Sequence, residues 1–239
     1  EAKLQADKAN QEAIKSKINP GDKILLNNKN KSVVLFVIGQ EDIEEGMNIV
    51  GAHLDAPRLD LKANPLYEDS ELALLKTHYY GGIKKYQWTT IPLSLHGVVV
   101  NSEGETIEIS IGEKEDDPVF YITDLIAHLS ADLNKKTLAD GITGESLNLL
   151  AGHSSFGIDE EENPIKKLIL KHLYKEYKMK EEDFLIAELE ATPNSKARDV
   201  GFDRSMIAAH GHDDRVCSYA AFHGILEVEN PKHTAVALL

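Results

Sequence analysis

A single cysteine, Cys217, stands in a chain of 239 residues, so no internal disulfide can form and a stapled secreted scaffold is excluded. A reducing compartment is the expectation, with the cytoplasm as its default. Positive charge is also in short supply, with 26 Lys and Arg against 40 Asp and Glu and a net charge of -14. A surface that acidic repels phosphate backbones and anionic headgroups, which speaks against nucleic acid and against membrane as partners. A small or cationic ligand suits it better. No stretch reaches the roughly 18 to 20 consecutive apolar residues that span a bilayer, and the opening Glu1-Ala2-Lys3-Leu4-Gln5 has no signal-peptide core. A soluble chain is expected. An initial methionine is missing as well, and the last residues fall inside an apolar run, Thr234-Ala235-Val236-Ala237-Leu238-Leu239, which reads as a cut end.

What is present changes period along the chain. Residues 1–17, rich in Ala, Lys, Glu and Gln and free of Gly and Pro, predict a helix that stops at Asn19-Pro20-Gly21-Asp22. Ile24–Leu26 and Ser32–Gly39, flanking Asn27-Asn28-Lys29-Asn30, predict a hairpin. The apolar run Met47–Ala52 predicts a buried strand that delivers His53 at its carboxyl end, where ligands of α/β sheets gather. Leu93–Val100 and Thr106–Ile111 predict a second hairpin. Helices are expected over 122–133 and 165–177, a strand over 185–189, and a helix rich in small residues from Val216 to about Leu226. A β-rich middle between two α/β pieces suggests one domain inserted into another.

Two constellations carry chemistry. In Gly51-Ala52-His53-Leu54-Asp55, an imidazole and a carboxylate two residues apart on an extended segment share a side, so a cation could take one His53 nitrogen while Asp55 holds the other. From the triplet alone the plainer reading is a surface position or a strand end. In His212-Asp213-Asp214-Arg215, directly before a helix, an aspartate could offer its oxygens to two cations; the plainer reading is an N-cap. The acidic runs 113–117 and 159–162 read as solvated loops, the remaining histidines as solvated or structural, and Cys217 as a packing residue.

Taken in order, these motifs resemble the M18 family of metallo-aminopeptidases, the aspartyl aminopeptidase group, in its N-terminal portion. The Gly51–Pro57 stretch followed by Leu59-Asp60-Leu61-Lys62 is similar to the family's Gly-Ala-His-x-Asp-Ser-Pro signature and trailing lysine. Tyr80-Gly81-Gly82, Trp88 and Leu93–Val100 resemble the start of its inserted domain, and Asp213–Tyr219 its Asp-Asn helix start. The resemblance implies a mixed-sheet α/β metallopeptidase catalytic domain in two parts, 1–62 and a truncated 199–239, interrupted by a β-rich oligomerisation domain over 63–198. It implies that His53 ligates a metal, Asp55 orients His53, Asp213 bridges two metals with its carboxylate and joins Asp214 by a cis peptide, and Asp214 is a neighbour and not a ligand; His212, by its adjacency to Asp213, reads as standing behind the ligands. His128 would act in a neighbouring subunit's active site; on its own it reads as a packing residue of an amphipathic helix. The cofactors would be two divalent cations, zinc first and cobalt or manganese as alternatives. The substrates would be short peptides with free N-termini, and the assembly a hollow homododecamer. Ala56, Arg58, Asp60 and Arg215 depart from the pattern without touching the expected ligands. The family's paired glutamates, general base and ligand, have no match in these residues. A deacylase of related fold and a non-catalytic assembly module are the competing readings.

Overall fold

The computed structural model describes residues 18–158 and 162–239. The helix expected over 1–17, and most of the acidic run at 159–162, lie outside them. The chain divides into two compact units, one running up to Ala56 and resuming at Gly211–Leu239, the other Pro57–His210. These joints differ from the expected 62/63 and 198/199, because a single strand runs continuously through Lys62 and a two-stranded ribbon occupies 198–208.

In chain order the strands are β1 (Lys23–Asn28), β2 (Ser32–Val37), β3 (Met47–Gly51), β4 (Arg58–Asp69), β5 (Leu72–Tyr80), β6 (Leu93–Val100) and β7 (Thr106–Ile111). They continue with β8 (Leu149–Gly152), β9 (Glu188–Pro193), β10 (Arg198–Val200), β11 (Met206–Ala208) and β12 (Thr234–Leu238). Two α-helices longer than one turn are described, α1 (Pro164–Tyr177) and α2 (His212–Leu226).

The first unit is a mixed sheet in the order β1-β2-β12-β3. The β1–β2 hairpin turns where the sequence predicts it, with Lys29 and Asn30 both at φ 56° and the Lys31 amide donating to the Asn28 carbonyl at 3.0 Å. β12 runs antiparallel to β2 and parallel to β3. The parallel pair needs a crossover, and α2 supplies it on the return to β12. Ile225 of α2 packs with Leu35, Val37 and Ala237 of the sheet, forming this unit's small core. β3 is an edge strand whose Met47, Ile49 and Val50 are exposed, which corrects the buried strand expected there: it has β12 on one side only.

The second unit is a six-stranded sheet in the order β7-β6-β9-β4-β5-β8, antiparallel throughout, with α1 against it. Its core gathers Leu59, Leu93, Val99, Leu147 and Leu149, each 0% exposed. The β4–β5 hairpin escaped the sequence reading. Its two-residue turn puts Ser70 and Glu71 at φ 50° and 61°, conformations for which Asn or Gly is the usual signal. The segment expected as a helix over 122–133 is irregular instead. Phe120 bridges to Leu93 and Tyr121 to Leu150, which holds the chain extended up to the buried Ile122. Beyond it Leu125, Ile126 and Leu129 face solvent, so a helix there would have no surface to bury its apolar stripe. The expected strand at 185–189 begins only at Glu188, after a 3-10 turn over Glu181–Ile186. α1 coincides with the expected helix.

Candidate metal centre

β3 ends at Gly51, and the chain leaves it by an irregular loop that carries His53 and Asp55. Three contacts fix this loop against its own unit. The Ala52 amide donates to the Leu238 carbonyl at 3.1 Å. The buried Ser218 hydroxyl on α2 donates to the His53 carbonyl at 2.9 Å, and the Arg215 Nε donates to the Leu54 carbonyl at 3.3 Å. The sequence reading gives Arg215 the part of balancing the aspartate charge, not of holding this loop, and does not single out Ser218. Their signal is only spacing, since residues three apart share a helix face.

At the other wall, α2 opens at Gly211, and Asp213 and Asp214 have non-helical dihedrals with a cis peptide between them, as expected. Gly211 precedes the helix, and the non-helical Asp213 and Asp214 put a kink in its first turn. Asp213 holds its carboxylate out, 94% exposed, with Oδ1 3.2 Å from His53 Nε2. The opposite ring nitrogen, His53 Nδ1, lies 2.9 Å from the Asp55 carbonyl oxygen and 3.3 Å from Asp55 Oδ1.

That arrangement fixes the electrostatics. An acceptor at Nδ1 calls for the proton on that nitrogen, which leaves the neutral ring's Nε2 lone pair facing a carboxylate oxygen. Two acceptors 3.2 Å apart repel unless a positive charge lies between them. The His53 pKa is accordingly raised: the hydrogen bond to the Asp55 backbone leads, desolvation opposes it, and the charges of Asp55, Asp214 and Asp213 add to the rise. A cation shared by His53 and Asp213 meets the same need. Donors about 2.0 to 2.1 Å from a tetrahedral zinc ion are about 3.3 Å apart, so the observed spacing fits two ligands of one ion. The chemistry of the pair, one imidazole and one carboxylate, fits as well. Among the described residues, no three His, Cys, Asp or Glu side chains converge into a complete cage.

The remaining expected site residues fall elsewhere. His212 is exposed at the start of α2, beside Asp213 in sequence. Asp214 accepts a hydrogen bond from the Cys217 thiol, which raises the thiol's pKa; Cys217 is exposed, not packed. His128 lies in the second unit on an exposed turn among Leu125, Ile126 and Leu129, which removes its reading as a packing residue of a helix.

Comparison with known proteins adds an independent line. The family model for the aminopeptidase I zinc metalloproteases, M18, matches residues 3–239. A probable M18 family aminopeptidase 1 from Clostridium acetobutylicum is 48% identical over 222 residues, covering 93% of this chain and 48% of the relative. The crystal structure of an M18 aminopeptidase from Thermotoga maritima superposes with a TM-score of 0.87 at 43% identity, covering 93% of this chain and 48% of that one. At 18% identity the S. cerevisiae mApe1 dodecamer shares the fold, with a TM-score of 0.64 over 92% of this chain and 49% of that one. The chain thus spans about half the length of the relatives it matches. With its sequence matched from residue 3 to residue 239 and its fold superposing on a solved member, this chain belongs to the M18 family of zinc metalloproteases.

Proposed function

We propose that the protein works as a metal-dependent aminopeptidase that removes the N-terminal residue from short peptides. The observation that carries the reading is the 3.2 Å approach of His53 Nε2 to Asp213 Oδ1, between two solvent-open side chains. His53 and Asp213 would hold one cation, and Asp213's exposed carboxylate has a second oxygen to offer another. Zinc is the metal that the family description supports. Once bound, such cations lower the pKa of water and polarise a scissile carbonyl.

The chain's own residues prepare that chemistry. Asp55 occupies Nδ1 and so keeps His53 Nε2 on Asp213. Ser218 and Arg215 tie the loop to α2, fixing His53 relative to the helix that starts at Asp213. The second unit is read as an inserted oligomerisation domain. The exposed apolar turn around His128 suits an interface between subunits, and the dodecameric mApe1 shares the fold. In such an assembly His128 would hydrogen-bond the developing oxyanion in a neighbour's site. No residue among the 239 is assigned as the proton-accepting glutamate. The single cysteine and the acidic surface make the cytoplasm the compartment of choice.

The test is metal content by elemental analysis together with hydrolysis of an unblocked aminoacyl anilide. Exhaustive chelation should abolish turnover and zinc should restore it, while the N-acetylated anilide should stay intact. Activity that survives chelation in a metal-free protein, or a preference for the acylated substrate, would overturn the reading.

A further inference from the structure

Between the six-stranded sheet and α1, the second unit holds a cavity of about 320 Å³ that is open at one side. Protein interiors are close-packed, and voids larger than a water molecule are few, so a space of this size stands out as a candidate binding site. Leu95, Ile109 and Leu189 line it from the sheet, Ile169 and Leu173 from α1, and Phe184 from the turn before β9. A buried water needs two to four polar partners, and the walls formed by these six side chains are apolar. An apolar guest would gain what water cannot. The volume lies within the range of small-molecule sites, which are characteristically apolar with a few converging polar groups.

Those polar groups lie together at one side of the cavity. Asp117, Tyr177 and His172 join its lining beside Pro118 and Val119, and His172, Pro118 and Val119 are exposed, which marks the open side. Asp117 Oδ2 accepts the Gly112 and Lys114 amides at 3.1 and 3.0 Å. These bonds, the Lys114 amide first, hold its carboxyl below the usual range, so it stays ionised. The Tyr177 hydroxyl is pushed up by burial and then by the Asp117 charge, so it keeps its proton. A fixed negative charge at the rim of an apolar chamber selects a cationic head on an apolar body.

We propose that this cavity is a binding site for a small apolar primary amine, with its body between the sheet and α1 and its ammonium on Asp117. The metal-centre reading uses none of these residues, so the two stand or fall separately. Lys114, whose charge also lies near Asp117, is the competing influence, and it would favour an anionic head instead.

The experiment follows isoleucine methyl resonances of the protein during titration with phenethylamine, with 3-phenylpropanoate and benzyl alcohol as the anionic and neutral counterparts. Saturable shifts confined to Ile109, Ile111 and Ile169, with Ile38 and Ile225 unmoved, are expected for the amine, and binding of the carboxylate should be at least about tenfold weaker. Asp117→Asn, which keeps an acceptor for the two amides, should weaken the amine about fivefold or more and leave benzyl alcohol unchanged. Ala151→Phe, which fills the cavity from β8, should abolish the response in a protein whose methyl spectrum remains folded. Absence of saturable shifts in the unsubstituted protein, shifts elsewhere, or equal binding of amine and carboxylate would overturn the proposal, and none of the three needs a variant.

Discussion

Replacing Ser218 by alanine separates holding the metal-centre loop from holding the fold. The hydroxyl donates at 2.9 Å to the His53 carbonyl from a residue only 3% exposed. A hydrogen bond of this kind contributes about 0.5 to 1.5 kcal/mol net, and leaving an acceptor buried and unpaired costs about 1 to 3. The lower figure applies, because His53 itself is exposed and water can reach its carbonyl once the hydroxyl is gone. Alanine is also the better helix former by about 0.5 kcal/mol, which offsets part of the loss within α2. Global stability should therefore fall by only about 0.5 kcal/mol. The loop, however, loses a buried tether and keeps the longer, exposed one from Arg215, so zinc affinity should weaken by about 1 kcal/mol, or roughly fivefold. Denaturant unfolding of the metal-free protein and calorimetric zinc titration read the two quantities. A large loss of stability with unchanged zinc affinity would refute the reasoning, since it would make Ser218 a packing residue and not a positioning one.

Other outcomes are equally specific. The raised His53 pKa stabilises the metal-free protein fully below the unfolded value of about 6.5, and the gain is lost as pH rises through the folded pKa. Metal binding runs the other way and weakens as pH falls, because protons compete for Nε2; His53→Gln should flatten both profiles, read by melting and zinc titration across pH. Gly97→Ala should destabilise the second unit by on the order of 3 kcal/mol, measured by denaturant unfolding, because its φ of 138° is strained for any side chain and a Cβ would fall on the Glu188 carbonyl oxygen. His128→Ala should leave zinc content unchanged and lower turnover only in the assembled protein. A proportional loss in isolated subunits, separated by size exclusion, would place its effect elsewhere.

Local signals were read well where the side chain itself sets the backbone. Asn27-Asn28-Lys29-Asn30 announces the β1–β2 hairpin, and the helical spacing of Ile165, Leu168, Ile169 and Leu173 announces α1. They misled where the backbone obeys partners distant in sequence. Residues 122–133 have helix-compatible composition, but the bridges at Phe120 and Tyr121 and the absence of a surface for Leu125, Ile126 and Leu129 decide otherwise. The turn at Ser70 and Glu71 carries no glycine or asparagine, so the β4–β5 hairpin could not be read from it.

The order of residues determined the candidate chemistry of this protein: an imidazole two residues from a carboxylate, and a pair of aspartates ahead of a helix. Whether those groups meet was decided in three dimensions. β3 and β12 pair in parallel, α2 crosses between them, and Ser218 reaches a carbonyl 165 residues away in the chain, bringing Asp213 to His53. Periodicity reports which face of an element is apolar; it does not report which distant element will cover it, because long-range pairing is selected by the burial and hydrogen bonding of the whole sheet.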